Sequence, residues 1–174
     1  MTSESSARRI LPVILAQYRL KPDGIHGVAH WGRVLENGRR LAAATGADTA
    51  VIEMFALFHD ACRWSEGSDP DHGPRGARLA GTMRAQTGLD PSQLEELLSA
   101  CECHTRGPGP GASTTVLTCL DADRLDIPRV GMWIRPALLF TPAARESRVL
   151  AWASGRAGRQ VVPSLCTEEW GWQP

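Results

Sequence analysis

The sequence predicts an all-α fold, a single-domain bundle of helices. Apolar residues recur at helical spacing along most of the chain, and no alternating β-branched stretch is long enough to make a strand. Helix-ending glycines and helix-starting Ser, Thr and Asp residues also punctuate the apolar segments at regular intervals.

The first helix is expected in "SSARRILPVILAQYRL", with Pro12 either in its first turn or breaking it. "HGVAHWGRVLENGRRLAAATG" places Val28, Trp31, Val34, Leu35 and Leu41 on one face, with His30 beside Val34, and stops at Gly46. "ADTAVIEMFALFHDACRW" opens on Asp48 or Thr49 as N-cap and is apolar on every side from Val51 to Phe58, the pattern of a helix at the centre of a fold. "SEGSDPDHGPRG" reads as a loop and "ARLAGTMRAQTG" as a short amphipathic helix ending at Gly88. "DPSQLEELLSACECH" follows, with Asp90 as N-cap and Pro91 at the first helical position. After the loop "TRGPGPGAS", "TTVLTCLDADRLD" is expected to be helical through Leu125, before Pro128 and Gly131 end it. One more helix is expected from about Pro142 to Ser154, ahead of a tail carrying Trp170 and Trp172 that reads either as a dimer contact or as folding back on the core.

A chain of 174 residues buries roughly 70% of the surface it exposes when unfolded, so no staple is required. Its formal net charge is zero, which disfavours general nucleic-acid binding and attraction to an anionic membrane. No segment approaches the ~20 apolar residues that span a bilayer, and the N-terminal apolar patch is too short for a secretory signal. Lys21 is the only lysine among 19 basic residues, so the positive charge is carried almost entirely by planar arginine forks. The five cysteines fit free thiols in a reducing, cytoplasmic compartment. "CECH" at 101 to 104 lacks a second half with zinc-ligand spacing.

Chemistry concentrates in an ordered series: His30, His59 with Asp60, His72, His104, then Asp121, Asp123 and Asp126 of "DADRLD". A lone His30 is most simply a core histidine, His72 a turn residue and His104 a cation at a helix C-terminus. His59 and Asp60 resist such readings. They end the most apolar helix, where a carboxylate without a partner is costly to bury. Successive helical residues point about 100° apart, yet both can reach one ion lying between them off the helix surface, and a divalent metal accepts imidazole and carboxylate together.

"HWGRV", "FHD" and "DADRL", in this order, resemble the motifs of the HD-domain metal-dependent phosphohydrolase superfamily, over about residues 26 to 127. The resemblance implies an HD-type helical bundle, with residues 1 to 25 as an N-terminal helix, 26 to 127 as the core, and 128 to 174 as a C-terminal helix and tail of the same domain. It implies a divalent metal (Mn, Ni, Co, Mg or Fe), one ion or two, bound by His30, His59, Asp60 and Asp123. His26, on the same helix face as His30, is the fallback first ligand. Asp121 is the fallback for Asp123, because residues two apart on a helix diverge and one ion takes only one of them easily.

Branches of the superfamily with two metals add two histidines at the places of His72 and His104. These either hold a second ion, or else bind the substrate phosphate or act as general acid. Arg63 and Arg75 are candidate forks for phosphate oxygens, and Glu66 and Asp69 candidates for orienting the ligand histidines. The expected catalytic set is therefore Asp60, His72, His104 and Arg63, and the expected activity hydrolysis of a small phosphorylated substrate, a phosphomonoester, nucleotide or phosphodiester, by metal-activated water. The same ligand order also suits a di-iron oxygenase of this fold, and a third reading is a non-catalytic binding module. Oligomeric state is left open.

Overall fold

The computed structural model describes residues 5–173, and among them there are helices and turns but no strands. The helices are α1 Ser6–Leu15, α2 Val28–Thr45, α3 Thr49–Phe58, α4 His72–Thr82, α5 Arg84–Thr87, α6 Pro91–Cys103, α7 Thr114–Arg124, α8 Ser147–Gly158 and α9 Leu165–Glu168. Three short 3-10 turns, at Ile127–Val130, Pro136–Leu138 and Ala143–Arg145, link α7 to α8. No described helix is long and apolar enough to cross a membrane.

Helix α3 is the hub, packed against α1, α2, α4, α6 and α7. Every residue from Val51 to Phe58 is buried except Glu53, which is half-buried and accepts a hydrogen bond from the Trp170 indole. Asp48 caps its start by accepting from the amides of Ala50 and Val51. Gly46 ends α2 at φ +73°, a left-handed conformation that costs glycine little. Asp90 and Gln93 form a reciprocal capping box at the start of α6. A second, smaller apolar cluster joins Leu41 and Leu125 to Leu139, Ala144, Val149 and Ala153, seating the C-terminal third on the α2 and α7 side.

Several elements depart from the sequence expectation for identifiable reasons. Pro12 neither opens nor breaks α1, because Ser5 caps the helix upstream and Ala7, Ile10, Leu11 and Ile14 bury a face that offsets the lost backbone bond. The helix also ends at Leu15, so that Tyr18 can turn back, its ring edge-on to Trp31 and its hydroxyl donating to the His26 carbonyl. The stretch read as a loop through Gly76 is helical from His72 onward. Its glycines serve close approach: a Cβ on Gly73 would lie 2.4 Å from the Cys101 carbonyl oxygen, and one on Gly76 would lie 2.3 Å from that of Phe58. The final long helix starts later than expected, at Ser147, after a 3-10 turn. Trp170 and Trp172 are buried in the core cluster, folded back on the chain rather than presented to a partner.

Gly76 sets how closely α4 lies against the end of α3, and hence where His72 meets Asp60. A Gly76→Ala substitution is expected to cost about 1 to 3 kcal/mol of stability, through overpacking against a carbonyl that cannot give way. Chemical denaturation of the two proteins measures it.

Candidate metal centre

Five helix ends or faces deliver six side chains to one buried place. His30 comes from the first turn of α2, His59 is the C-cap of α3 and Asp60 follows it, His72 opens α4, His104 is the C-cap of α6, and Asp123 lies near the end of α7. All are buried except Asp123, which is partly open.

The donor atoms form two groups that share one carboxylate. In the first, His30 Nε2 lies 3.0 Å from His59 Nε2 and 3.5 Å from both Asp60 Oδ2 and Asp123 Oδ1. His59 Nε2 is 3.7 Å from Asp60 Oδ2 and 3.9 Å from Asp123 Oδ1. In the second, His72 Nε2 is 2.7 Å from His104 Nε2 and 3.0 Å from Asp60 Oδ1, the other oxygen of the same carboxylate. His104 Nε2 is 3.8 Å from Asp60 Oδ1. Ligands about 2.1 Å from one ion lie on the order of 3.0 to 3.4 Å from each other, and these separations cluster around that spacing.

The hydrogen bonds behind the rings fix which nitrogen faces inward. His30 Nδ1 is 2.7 Å from Asp126 Oδ2, and His59 Nδ1 is 3.1 Å from the carbonyls of Phe55 and Ala56. His72 Nδ1 is 2.5 Å from the Asp69 carbonyl, and His104 Nδ1 is 2.7 Å from that of Cys101. Each Nδ1 faces an acceptor and so carries a proton, which leaves Nε2 as the nitrogen that can ligate an ion. Four such nitrogens and three carboxylate oxygens converge. That donor set is unfavourable alone and fits one or two cations; both groups have the composition and compactness of a metal site.

The electrostatics of the cluster are mixed: burial lowers the His104 imidazole, but its hydrogen bond to Asp60 and the pull of Asp123 more than reverse this and raise it, so an ion entering beside it displaces a proton. Burial pushes the His59 imidazole down to about 3, outweighing the pull of Asp60 and Asp123, so it is neutral and free to ligate. Burial raises the Asp60 carboxyl, but His59, His104, His30 and His72 more than reverse this and hold it well below the usual range. Asp123 is likewise raised by burial yet brought down to about 2 by His59, His30, Arg129 and His104. The carboxylates are therefore ionised at neutral pH.

Some expected participants stand elsewhere. Asp121 points away from the cluster, accepting from the Phe140 amide and from the amide and hydroxyl of Thr141; the roughly 200° divergence from Asp123 gives it this separate task. His26 is not among the converging donors. It lies edge-on behind His30 with its ring centroid 6.3 Å away, and its Nδ1 pairs with Glu66, so Glu66 orients His26 rather than a ligand. Arg75 is no phosphate fork here: it clamps both oxygens of Asp69, donates to the Cys62 carbonyl and stacks on Trp64. Asp69 orients His72 through its carbonyl, not its carboxylate. Arg63 does stay at the cluster: Nε and one terminal nitrogen hold the Ser65 and Gly67 carbonyls, while the other terminal nitrogen lies 3.5 Å from Asp60 Oδ1 and 3.2 Å from His72 Nε2. Cys101 and Cys103 remain free thiols, the former buried and the latter half-buried, while His104 of the same motif joins the cluster.

Two features lay beyond the sequence reading: the role of Asp126, placed in the acidic series without a task, and a cavity. Asp126 accepts from Arg33 as well as facing His30, and Arg33 also donates to the Val161 carbonyl, so a buried ion pair backs the first ligand. Both residues lie three positions beyond a ligand, but nothing local distinguishes them from surface charges. The second is a cavity of about 480 Å³ beside the centre. His26, His104 and Asp123 form its polar side, and Ile127, Val130, Met132, Trp133, Ile134, Leu138 and Leu139 its apolar wall. Arg124, Arg129 and Arg135 line it too.

A solved structure from an uncultured Thermotogales bacterium, described as a predicted HD superfamily hydrolase, superposes over 91% of this chain and 91% of its own with a TM-score of 0.66 and 26% sequence identity. The chain is an HD-superfamily protein. No protein-family model matches it, and no curated protein matches it. The superfamily assignment therefore rests on the shared helical fold, with the His/Asp cluster at the place where the HD motif falls in this sequence.

Two outcomes follow from the centre's construction. Asp126→Ala is expected to weaken divalent-metal affinity about 10- to 100-fold through loss of the His30 support, measured by calorimetric titration. Because His59 is held at about 3 when folded and titrates near 6.5 when unfolded, the unfolded chain binds more protons between those values. The metal-free protein should therefore lose stability as pH falls from about 6.5 to 4.5, and His59→Gln should flatten that dependence in thermal melts.

Proposed function

We propose that this protein is a metal-dependent phosphohydrolase acting on a small phosphorylated substrate, a phosphomonoester, nucleotide or phosphodiester. The observation that carries the reading is the convergence of imidazole and carboxylate atoms, shared through Asp60, beside a cavity that His104 and Asp123 line and that is large enough for such a molecule. The neighbour's description as a predicted hydrolase supports the same class.

His30, His59, Asp60 and Asp123 would hold a divalent ion, with Asp60, His72 and His104 as a second group for another. Such an ion, when bound, lowers the pKa of its water towards ~7 and polarises a phosphoryl oxygen. The chain's own residues supply the rest. Asp126 with Arg33, and the carbonyls behind His59, His72 and His104, fix the ring orientations, so that the ligating nitrogens are already aimed before substrate arrives. His26 lines the cavity beside Asp123 with Glu66 behind its ring, and it is the imidazole outside the donor cluster that can exchange a proton with a leaving group. With Arg75 clamped on Asp69 and Arg63 held by loop carbonyls against Asp60 and His72, Arg135 takes the task of gripping phosphate: it is exposed at the cavity, and its guanidinium makes no hydrogen bond or ion pair with another described residue. The exposed Trp133 and Met132 offer an apolar surface for the organic part of the ester.

Elemental analysis of protein purified without chelator, paired with a phosphatase and nucleotide panel run in Mn²⁺, Ni²⁺, Co²⁺ and Mg²⁺, tests this reading. Phosphate release that disappears in Asp60→Asn, with the helical circular dichroism retained, is the expected result. Two irons with an oxygen-sensitive absorption band and no phosphate release would instead place the protein among oxygen-activating centres, whose ligand order it also has. In an active protein, Arg135→Ala is expected to raise KM about tenfold with kcat little changed, as removal of uniform substrate binding does.

A further inference from the structure

The two donor groups have nearly matching ligands but unequal surroundings. Beside the Asp60, His72 and His104 group stands a guanidinium. Arg63 places one terminal nitrogen 3.2 Å from His72 Nε2, 3.4 Å from His72 Nδ1 and 3.5 Å from Asp60 Oδ1. It is 9% exposed, and its other nitrogens are fastened 3.2 Å from the Ser65 carbonyl and 2.8 Å from the Gly67 carbonyl, so the charge is fixed in place. On the side of the first group, Arg33 and Arg129 pair with Asp126, which braces His30, and Arg129 also helps hold the Asp123 carboxyl down.

We propose that Arg63 is a built-in cation that ranks the two positions, so that the His30, His59, Asp60 and Asp123 group takes a divalent ion first and the Asp60, His72 and His104 group takes one only weakly. This rests on the metal-centre reading above. Like charges a few ångströms apart in a buried site repel strongly, since little water lies between them to screen the field. Arg63 also neutralises part of the Asp60 charge from the Oδ1 side, leaving Oδ2 to serve the first group. The arrangement makes occupancy of the second group a function of metal concentration, so the protein passes from a one-ion to a two-ion state as free metal rises.

The test is titration of metal-free wild type, Arg63→Met and Arg63→Lys with Mn²⁺, followed by calorimetry and by electron paramagnetic resonance. The wild type is expected to bind one ion, or two with the second at least about tenfold weaker, and to show an isolated-ion spectrum at one equivalent. Arg63→Met should tighten the second ion about tenfold or more and give an exchange-coupled spectrum at two equivalents, with the first affinity, which shares Asp60, tightened much less. Arg63→Lys should keep the wild-type order. If Arg63→Met is too unstable to titrate, Arg63→Gln, which keeps a donor for the loop carbonyls, is read in its place. Equal filling of both positions by the wild type, or a second affinity unmoved by removal of the charge, overturns the ranking role. Absence of any bound ion in all variants overturns instead the metal-centre reading on which it rests.

Discussion

The structure turns on the burial of Asp60. A carboxylate at the end of the most apolar helix must be compensated, and the compensation recruits the ends of three other helices. Histidines face it from both sides, Oδ2 with His30 and His59 and Oδ1 with His72 and His104. Because the histidines' Nδ1 protons are spent on carbonyls and on Asp126, they turn Nε2 to the carboxylate, and the compensation is complete only with positive charge. Arg63 supplies one such charge at one edge.

Packing makes this convergence possible. Helix ends rather than helix middles reach the centre, so the side chains meet without the helix axes having to cross there. The close approach of α4 to α3 and α6 depends on positions without a Cβ, Gly73 and Gly76, and it brings His72 within 2.7 Å of His104. Aromatic contacts then lock the rings: His59 stacks on Phe55, and His104 stands edge-on to both His59 and His72. A centre built in this way is held rigid by core packing and not by the loops beside it.

Much of this was legible in the sequence because it follows from local rules. The caps at Asp48, Gly46 and Asp90, and the all-round apolar character of Val51 to Phe58, are properties of a few neighbouring residues, and they gave the hub helix and the setting of His59 and Asp60. What could not be read depends on partners far away in the chain. Asp126 is distinguished only by Arg33 and His30, more than 90 residues before it. Gly73 and Gly76 carry the composition of a turn, and only the carbonyls opposite them show that they serve packing. The arginines could not be sorted from the sequence for the same reason: whether a guanidinium is free or engaged depends on which acceptors the fold brings to it, as with Arg75 on Asp69 and the guanidinium of Arg135 with none.

Helix α7 carries three acidic residues with three different duties, and their divergence has a mechanical consequence. Asp123 reaches the centre, Asp126 just beyond the helix braces His30, and Asp121 holds the backbone at Phe140 and Thr141, next to the cavity wall at Leu138 and Leu139. The C-terminal end of one helix is thus tied both to the donor cluster and to the enclosure beside it. A guest too bulky for the enclosure cannot push the wall back at this point without dragging a ligand carboxylate with it. Size discrimination and integrity of the centre are therefore not separate properties of this fold, and a chain that widened one would loosen the other.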